Sequence, residues 1–183
     1  MKLIASKLYL FNIIMPSPNR IISIIKNIII NLAKNDERMQ HSNNWDEQVL
    51  KYNTAYLKEI ISVIGWPTKL KVGDEASQKA WLIAQHSDHD IEFQKECLRY
   101  LRSASSSEIE KWQIAFLKDR ILVAEGKPQC YGTQFYRDKN GKFIPRPISN
   151  IRGLDARRKK FDLEKFDSEK YSEYFTRRYN INR

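Results

Sequence analysis

Cysteine is nearly missing from this sequence: Cys97 and Cys130 are the only two among 183 residues. Neither has a second cysteine at metal-ligand spacing, and two in a chain this long build no disulfide framework, so a disulfide scaffold is excluded and a reducing compartment is the expected setting. Glycine and proline are also sparse, six of each. That excludes collagen-like repeats, and no solenoid-length repeat is evident. No apolar run reaches the roughly 20 residues of a membrane-spanning helix. There is no phosphate-binding Gly loop, no dinucleotide fingerprint, no serine elbow and no HExxH pattern, so nucleotide-cofactor, serine-hydrolase and zincin chemistry find no support.

What is present is a hydrophobic fraction of 42% and an aromatic fraction of 11%, enough to bury a core. The formal charge is +10, but it is unevenly spread: residues 1–38 carry +4, residues 39–135 carry −1 and residues 136–183 carry +7. The body of the chain is electrically neutral and the basic character belongs to its ends. Charge therefore argues little for nucleic acid as a partner, and the cytoplasm is the expected location.

Residues 1–38 read as an apolar and basic leader outside the main domain. A short run from Leu8 to Met15 ends at Pro16 and Pro18, and Ile21 to Ala33 then places seven Ile and Leu residues at helical spacing. Arg20, Lys26 and Lys34 fall opposite. The pattern predicts an amphipathic helix that either packs on the domain or makes peripheral membrane contact through residues 20–34.

From residue 39 to 183 the period predicts a mainly α fold, a compact domain of four to six helices with one β-hairpin in the C-terminal third. Trp45, Val49, Tyr52, Tyr56, Ile60 and Ile64 recur at three or four and stop at Gly65-Trp66-Pro67. Helices follow through Ala80, Trp81 and Ala84, through Phe93, Cys97 and Leu101, and through Trp112, Phe116 and Ile121, the last ending at Gly126. Asn140-Gly141 between two strand-like runs predicts the hairpin over about 131–148. A basic helix from Leu154 to Arg178 completes the chain.

Three groups of residues could carry chemistry. In Gln85-His86-Ser87-Asp88-His89-Asp90, a carboxylate beside His86 would orient an imidazole as general acid or base, while the plainer reading is a helix junction with an Asp cap. A divalent metal at His86, His89 and Asp90 is a lesser alternative, and no cofactor is expected. Asp119-Arg120, with Gln129, Tyr131, Thr133 and Gln134 around Gly132, forms the second group: neutral donors and acceptors on an expected strand, suited to a polar ligand or to a hydrogen-bonded sheet edge. Arg157-Arg158-Lys159-Lys160 is the third, able to grip an anion or simply to form a solvated basic face.

The ordered set GWPT at Gly65–Thr68, QHSD at Gln85–Asp88, DR at Asp119-Arg120, GKPQCYGTQ at Gly126–Gln134 and ARR at Ala156–Arg158 resembles an uncharacterised bacterial domain family, over about residues 44–175. The resemblance implies that Gln85, His86, Asp88, Asp119, Arg120, Gln129, Tyr131, Thr133, Gln134 and Arg158 share a pocket. The resulting expectation is an enzyme, a hydrolase or transferase. His86, Asp88 and Asp119 would be catalytic, and the remaining residues would hold a small polar or anionic substrate or a peptide. A non-catalytic helical partner module is the competing expectation.

Overall fold

The computed structural model describes residues 17–42 and 46–180. Within them lie eight helices and one two-stranded hairpin. The first five helices that matter to the core are α1 (Pro18–Ser42), α2 (Glu47–Ile64), α4 (Asp74–Gln85), α5 (Ile91–Ser103) and α6 (Lys111–Ala124). A short α3 (Lys69–Val72) bridges α2 and α4, and α7 (Leu154–Lys159) and α8 (Ser168–Asn180) follow the hairpin. Helices of four and six residues carry no hydrophobic period of their own, which is why α3 and α7 cannot be read from the pattern.

Proline opens α1, where its missing N–H costs nothing. The isoleucine stripe of this helix is not on the outside. Ile25, Ile29, Leu32 and Ala33 are buried in the same core as Leu57, Ile60, Ala80, Ile83, Leu101 and Leu117, and α1 packs chiefly along α4. The domain boundary expected at residue 38 thus falls inside a core helix, and the apolar face of residues 20–34 is turned inward. Burying Ile25, Ile29 and Leu32 contributes on the order of 5 kcal/mol, an upper figure because the unfolded chain already hides some of that area. Leu8–Met15 and Trp45 lie outside the described residues.

Helix α2 starts at Asp46, whose carboxylate accepts from the N–H groups of Gln48 and Val49. Its buried face is rotated from the expected one: Asn53, Thr54, Leu57, Ile60 and Ile61 are buried, while Tyr52 is exposed. The polar pair sits inward because each has a partner across the core, described below. Trp81, Trp112 and Phe116 meet edge to face, closing the α4–α6 side.

The C-terminal third departs most from expectation. The hairpin is short, with β1 (Phe135–Arg137) antiparallel to β2 (Phe143–Pro145) and Tyr136 opposite Ile144. Residues 129–134 form a loop rather than a strand, with one isolated parallel bridge between Gln129 and Ile148 and a backbone bond from Arg146 N–H to Gln134 O. The basic tail is two helices instead of one. They are separated at 160–167, where Asp162 takes a left-handed φ of 55°. Phe135, Phe143, Phe166, Tyr171 and Phe175 stack between the hairpin and α8 as a separate aromatic cluster.

Candidate functional site

Helix α4 ends because His86 leaves helical geometry at φ −89°, ψ 5°, and Asp90 restarts the chain by capping Phe93 N–H with its side chain. The turn between them is pinned from α2. Thr54 and Ser87 share a hydroxyl hydrogen bond of 2.8 Å, and Lys58 pairs with Asp90 at 2.5 Å. This fixed turn aims His86 at α1, where its Nδ1 lies 3.0 Å from Asp36 Oδ2. Asp36 is completely buried, and the His86 side chain is 13% exposed. Asn53 Nδ2 donates to the other oxygen of Asp36 at 2.5 Å and to Leu32 O at 3.1 Å. The carboxylate at hydrogen-bond distance from His86 Nδ1 is that of Asp36.

Asp88 belongs to a different pair. Arg120 donates to both of its oxygens, Nε and Nη2 each at 2.6 Å, and Gln94 Nε2 adds a bond of 3.1 Å. Partial burial raises the Asp88 carboxyl, but the Arg120 hydrogen bonds and charge outweigh this and hold it below the ordinary range. Gln94 is fully buried; its amide also donates to the carbonyls of Ala84 and Gln85. Three amide oxygens of this neighbourhood, Gln85 Oε1, Gln94 Oε1 and Asn53 Oδ1, are buried without a hydrogen-bond partner.

Asp119 and Arg120 are neighbours on α6 and point about 100° apart, so they serve different clusters. Asp119 is fully buried and accepts from the backbone N–H groups of Cys130, Tyr131 and Thr133 and from the Thr133 hydroxyl, at 2.7 to 3.1 Å. Burial pushes its carboxyl up, against the pull of those donors. Gln129 is likewise spent inside the loop: its amide donates to Gln134 O and Arg146 O and accepts from Gln134 N–H, all within 2.9 Å. Gly132 has φ 68°, and a Cβ there would stand 2.7 Å from the Phe166 ring. Tyr131 is packed edge-on to Phe161 beneath Lys118. The side-chain amide of Gln134 donates to the neighbouring Thr133 hydroxyl.

Arg158 is the largest fully buried side chain. It donates to Glu164 O at 2.6 Å, to Tyr131 O, and to the Tyr171 hydroxyl at 2.6 Å, with its plane near the Phe166 and Tyr171 rings. Among the described residues no carboxylate pairs with it. Arg157 gathers the carbonyls of Cys130, Ser149 and Asn150. The expected single pocket is therefore two assemblies. Asp119, Gln129, Tyr131, Thr133, Gln134 and Arg158 lock the 129–134 loop to α6, α7 and α8. His86, Gln85, Asp88 and Arg120 gather at the α4–α5 turn with Asp36 and Asn53.

A model of a family described only as a family of unknown function (DUF6624) matches residues 33–181. The chain belongs to this family. No curated protein and no solved structure matches it. The family match begins within α1, so it takes in Asp36, which the recognisable motifs from residue 44 onward do not reach. Among the described residues no three His, Cys, Asp or Glu side chains come together as metal donors. Asp90 is occupied by the α5 cap and Lys58, away from the His86–Asp36 contact.

Asp36, Asn53 and Gln94 are the functional candidates that motif reading missed. A signal for Asp36 exists: it continues the buried series Ile25, Ile29, Leu32 at helical spacing. An acid on an apolar stripe must find a partner or shift its protonation.

Proposed function

We propose that the protein is an enzyme of hydrolysis or group transfer in which His86, oriented by Asp36, moves a proton on a small polar substrate. The observation that carries this reading is the imidazole held through Nδ1 on a fully buried carboxylate while the His86 side chain stays partly exposed. With Nδ1–H donating to Asp36, Nε2 is the nitrogen that accepts and returns a proton. Asn53 keeps Asp36 in place, as an orienting carboxylate requires. The amide oxygens of Gln85 and Gln94 beside this turn are buried acceptors without partners, which the fold keeps at a cost. Arg120, partly exposed and paired to Asp88, supports an anionic group at the rim.

Turnover of a metabolite panel by the wild type, His86→Ala and Asp36→Asn tests this. The expected result is a loss of about 10²-fold or more for His86→Ala with the fold retained. Unchanged turnover in that variant rejects the proposal. The second reading, a non-catalytic partner module, is favoured by the fate of Asp119, Gln129 and Arg158, whose polar groups are consumed inside the fold. Unfolding of both variants, with no turnover by the wild type, would support it.

A further inference from the structure

The burial of the isoleucine stripe leaves the opposite face of α1 as the exposed one, and that face has a single sign. Arg20, Lys34 and Arg38 lie along it, separated by Ser23, Asn27 and Asn31, all exposed. The two acids of the helix are elsewhere: Asp36 is buried and Glu37 pairs with Lys79. The outer faces of α2, α5 and α8 differ, mixing acids with bases. Lys26 flanks the stripe, its Nζ close to Gly73 beyond α3.

The end of the domain where α1 begins is also apolar. Asn53 meets Leu32 and Asp36 across the α1–α2 pair. The two helices run antiparallel, so moving ten residues on along α2 and ten back along α1 brings Val63 level with Ile24. Helix α3 packs on α1 at this same end. Three large apolar side chains stand out of the domain there: Ile24 is 41% exposed, Val63 60% and Leu70 75%.

We infer that this end and the outer face of α1 form a docking surface for an anionic lipid bilayer. A row of cations without intervening acids attracts a negative leaflet, and exposed apolar side chains beside it supply the second contact that stable peripheral binding requires. Among the described residues no helix is long and apolar enough to cross a membrane, so the contact is a surface one. It uses the polar side of α1, the reverse of what the amphipathic pattern suggests. This inference is independent of any role for His86.

The test is co-sedimentation of the full chain with vesicles of phosphatidylcholine alone and of phosphatidylcholine mixed with phosphatidylserine. Binding to the mixed vesicles, weakened by salt and absent from neutral ones, is expected. The double variant Arg20→Glu/Lys34→Glu should bind at least about tenfold more weakly, because each basic residue near an anionic surface is worth roughly fivefold. Val63→Ser/Leu70→Ser should also bind more weakly, and circular dichroism should show both variants folded. No binding to mixed vesicles, or binding that neither variant reduces, overturns the inference. A wild-type dimer that Val63→Ser/Leu70→Ser dissociates, without vesicle binding, would assign the patch to a second copy instead.

Discussion

Gly126 and Gly132 offer a direct test of how the 129–134 loop is held. Both have left-handed backbone, φ 72° and 68°, but a Cβ at Gly126 would meet nothing within 4 Å, whereas one at Gly132 would stand 2.7 and 2.9 Å from two Phe166 ring carbons and 3.2 Å from Ile148 Cδ1. Gly126→Ala should therefore cost only the backbone term, about 1 kcal/mol. Gly132→Ala should cost that plus the displacement of Phe166. The ring cannot simply swing away, being stacked among Phe135 and Tyr171 with the Arg158 guanidinium 5.5 Å from its centroid. Forcing extra volume into such a site costs about 1–3 kcal/mol, giving roughly 2–4 kcal/mol in all. For a domain of this size the Tm falls by about 2–4 °C per kcal/mol, so Gly126→Ala should lose a few degrees and Gly132→Ala up to about 15 °C. Urea unfolding of both variants, with equal m-values, reads the difference. Equal losses within about 0.5 kcal/mol would refute the close approach of Phe166 as the reason for glycine at 132.

Other consequences are as specific. Arg158→Lys should be destabilised by about 3 kcal/mol or more in denaturant titration, because one ammonium cannot serve three divergent acceptors while remaining buried; a loss below about 1 kcal/mol would show that the fork is not required. Asp88 is held below its unfolded value of 3.8, so its contribution is present above that pH and is lost as pH falls through the lower folded value. Acid unfolding followed by circular dichroism should accordingly be shallower below about pH 4 in Asp88→Asn, and an identical profile would contradict the Arg120 pairing. In ¹⁵N NMR, His86 should show a protonated Nδ1 in its neutral form, and Asp36→Asn should change that tautomer balance; an Nε2-protonated ring in the wild type would remove Asp36 as its acceptor.

Much of the helical plan is legible because the periods are long and their ends are marked. Asp90 opens α5 and Gly126 follows α6 as their residue types suggest. The hairpin is legible from Asn140-Gly141, although its strands are only three residues long. What local pattern cannot show is how far a tertiary contact overrides a period. Residues 129–134 have strand-like composition, yet the N–H groups of Cys130, Tyr131 and Thr133 go to the buried carboxylate of Asp119 in place of a neighbouring strand. The tail reads as one helix until residues 160–167, where Arg158 takes the Glu164 carbonyl and the chain turns back. The contacts of the candidate site residues are not legible in their order along the chain. His86 and Asp36 are fifty positions apart, and the partner lies in a segment whose composition suggests a leader.

Family motifs group residues by sequence, and here the grouping hides a division of labour. In QHSD, His86 faces Asp36 while Asp88 faces Arg120, because the chain leaves the helix between them. In DR, two adjacent side chains leave α6 in different directions, one to a loop and one to the α4–α5 turn. Helix α6 is consequently the element through which the two assemblies are fixed to each other. Asp119 sets the loop that carries Gln129 and Tyr131, and one residue later Arg120 sets the rim beside His86. An Asp-Arg dipeptide of this kind needs no catalytic role to be indispensable. A buried carboxylate with three backbone donors, and a surface-facing guanidinium with a bidentate partner, each define a position to within a fraction of an ångström. Among the motif residues His86 is the one whose partner lies outside the motifs, on α1.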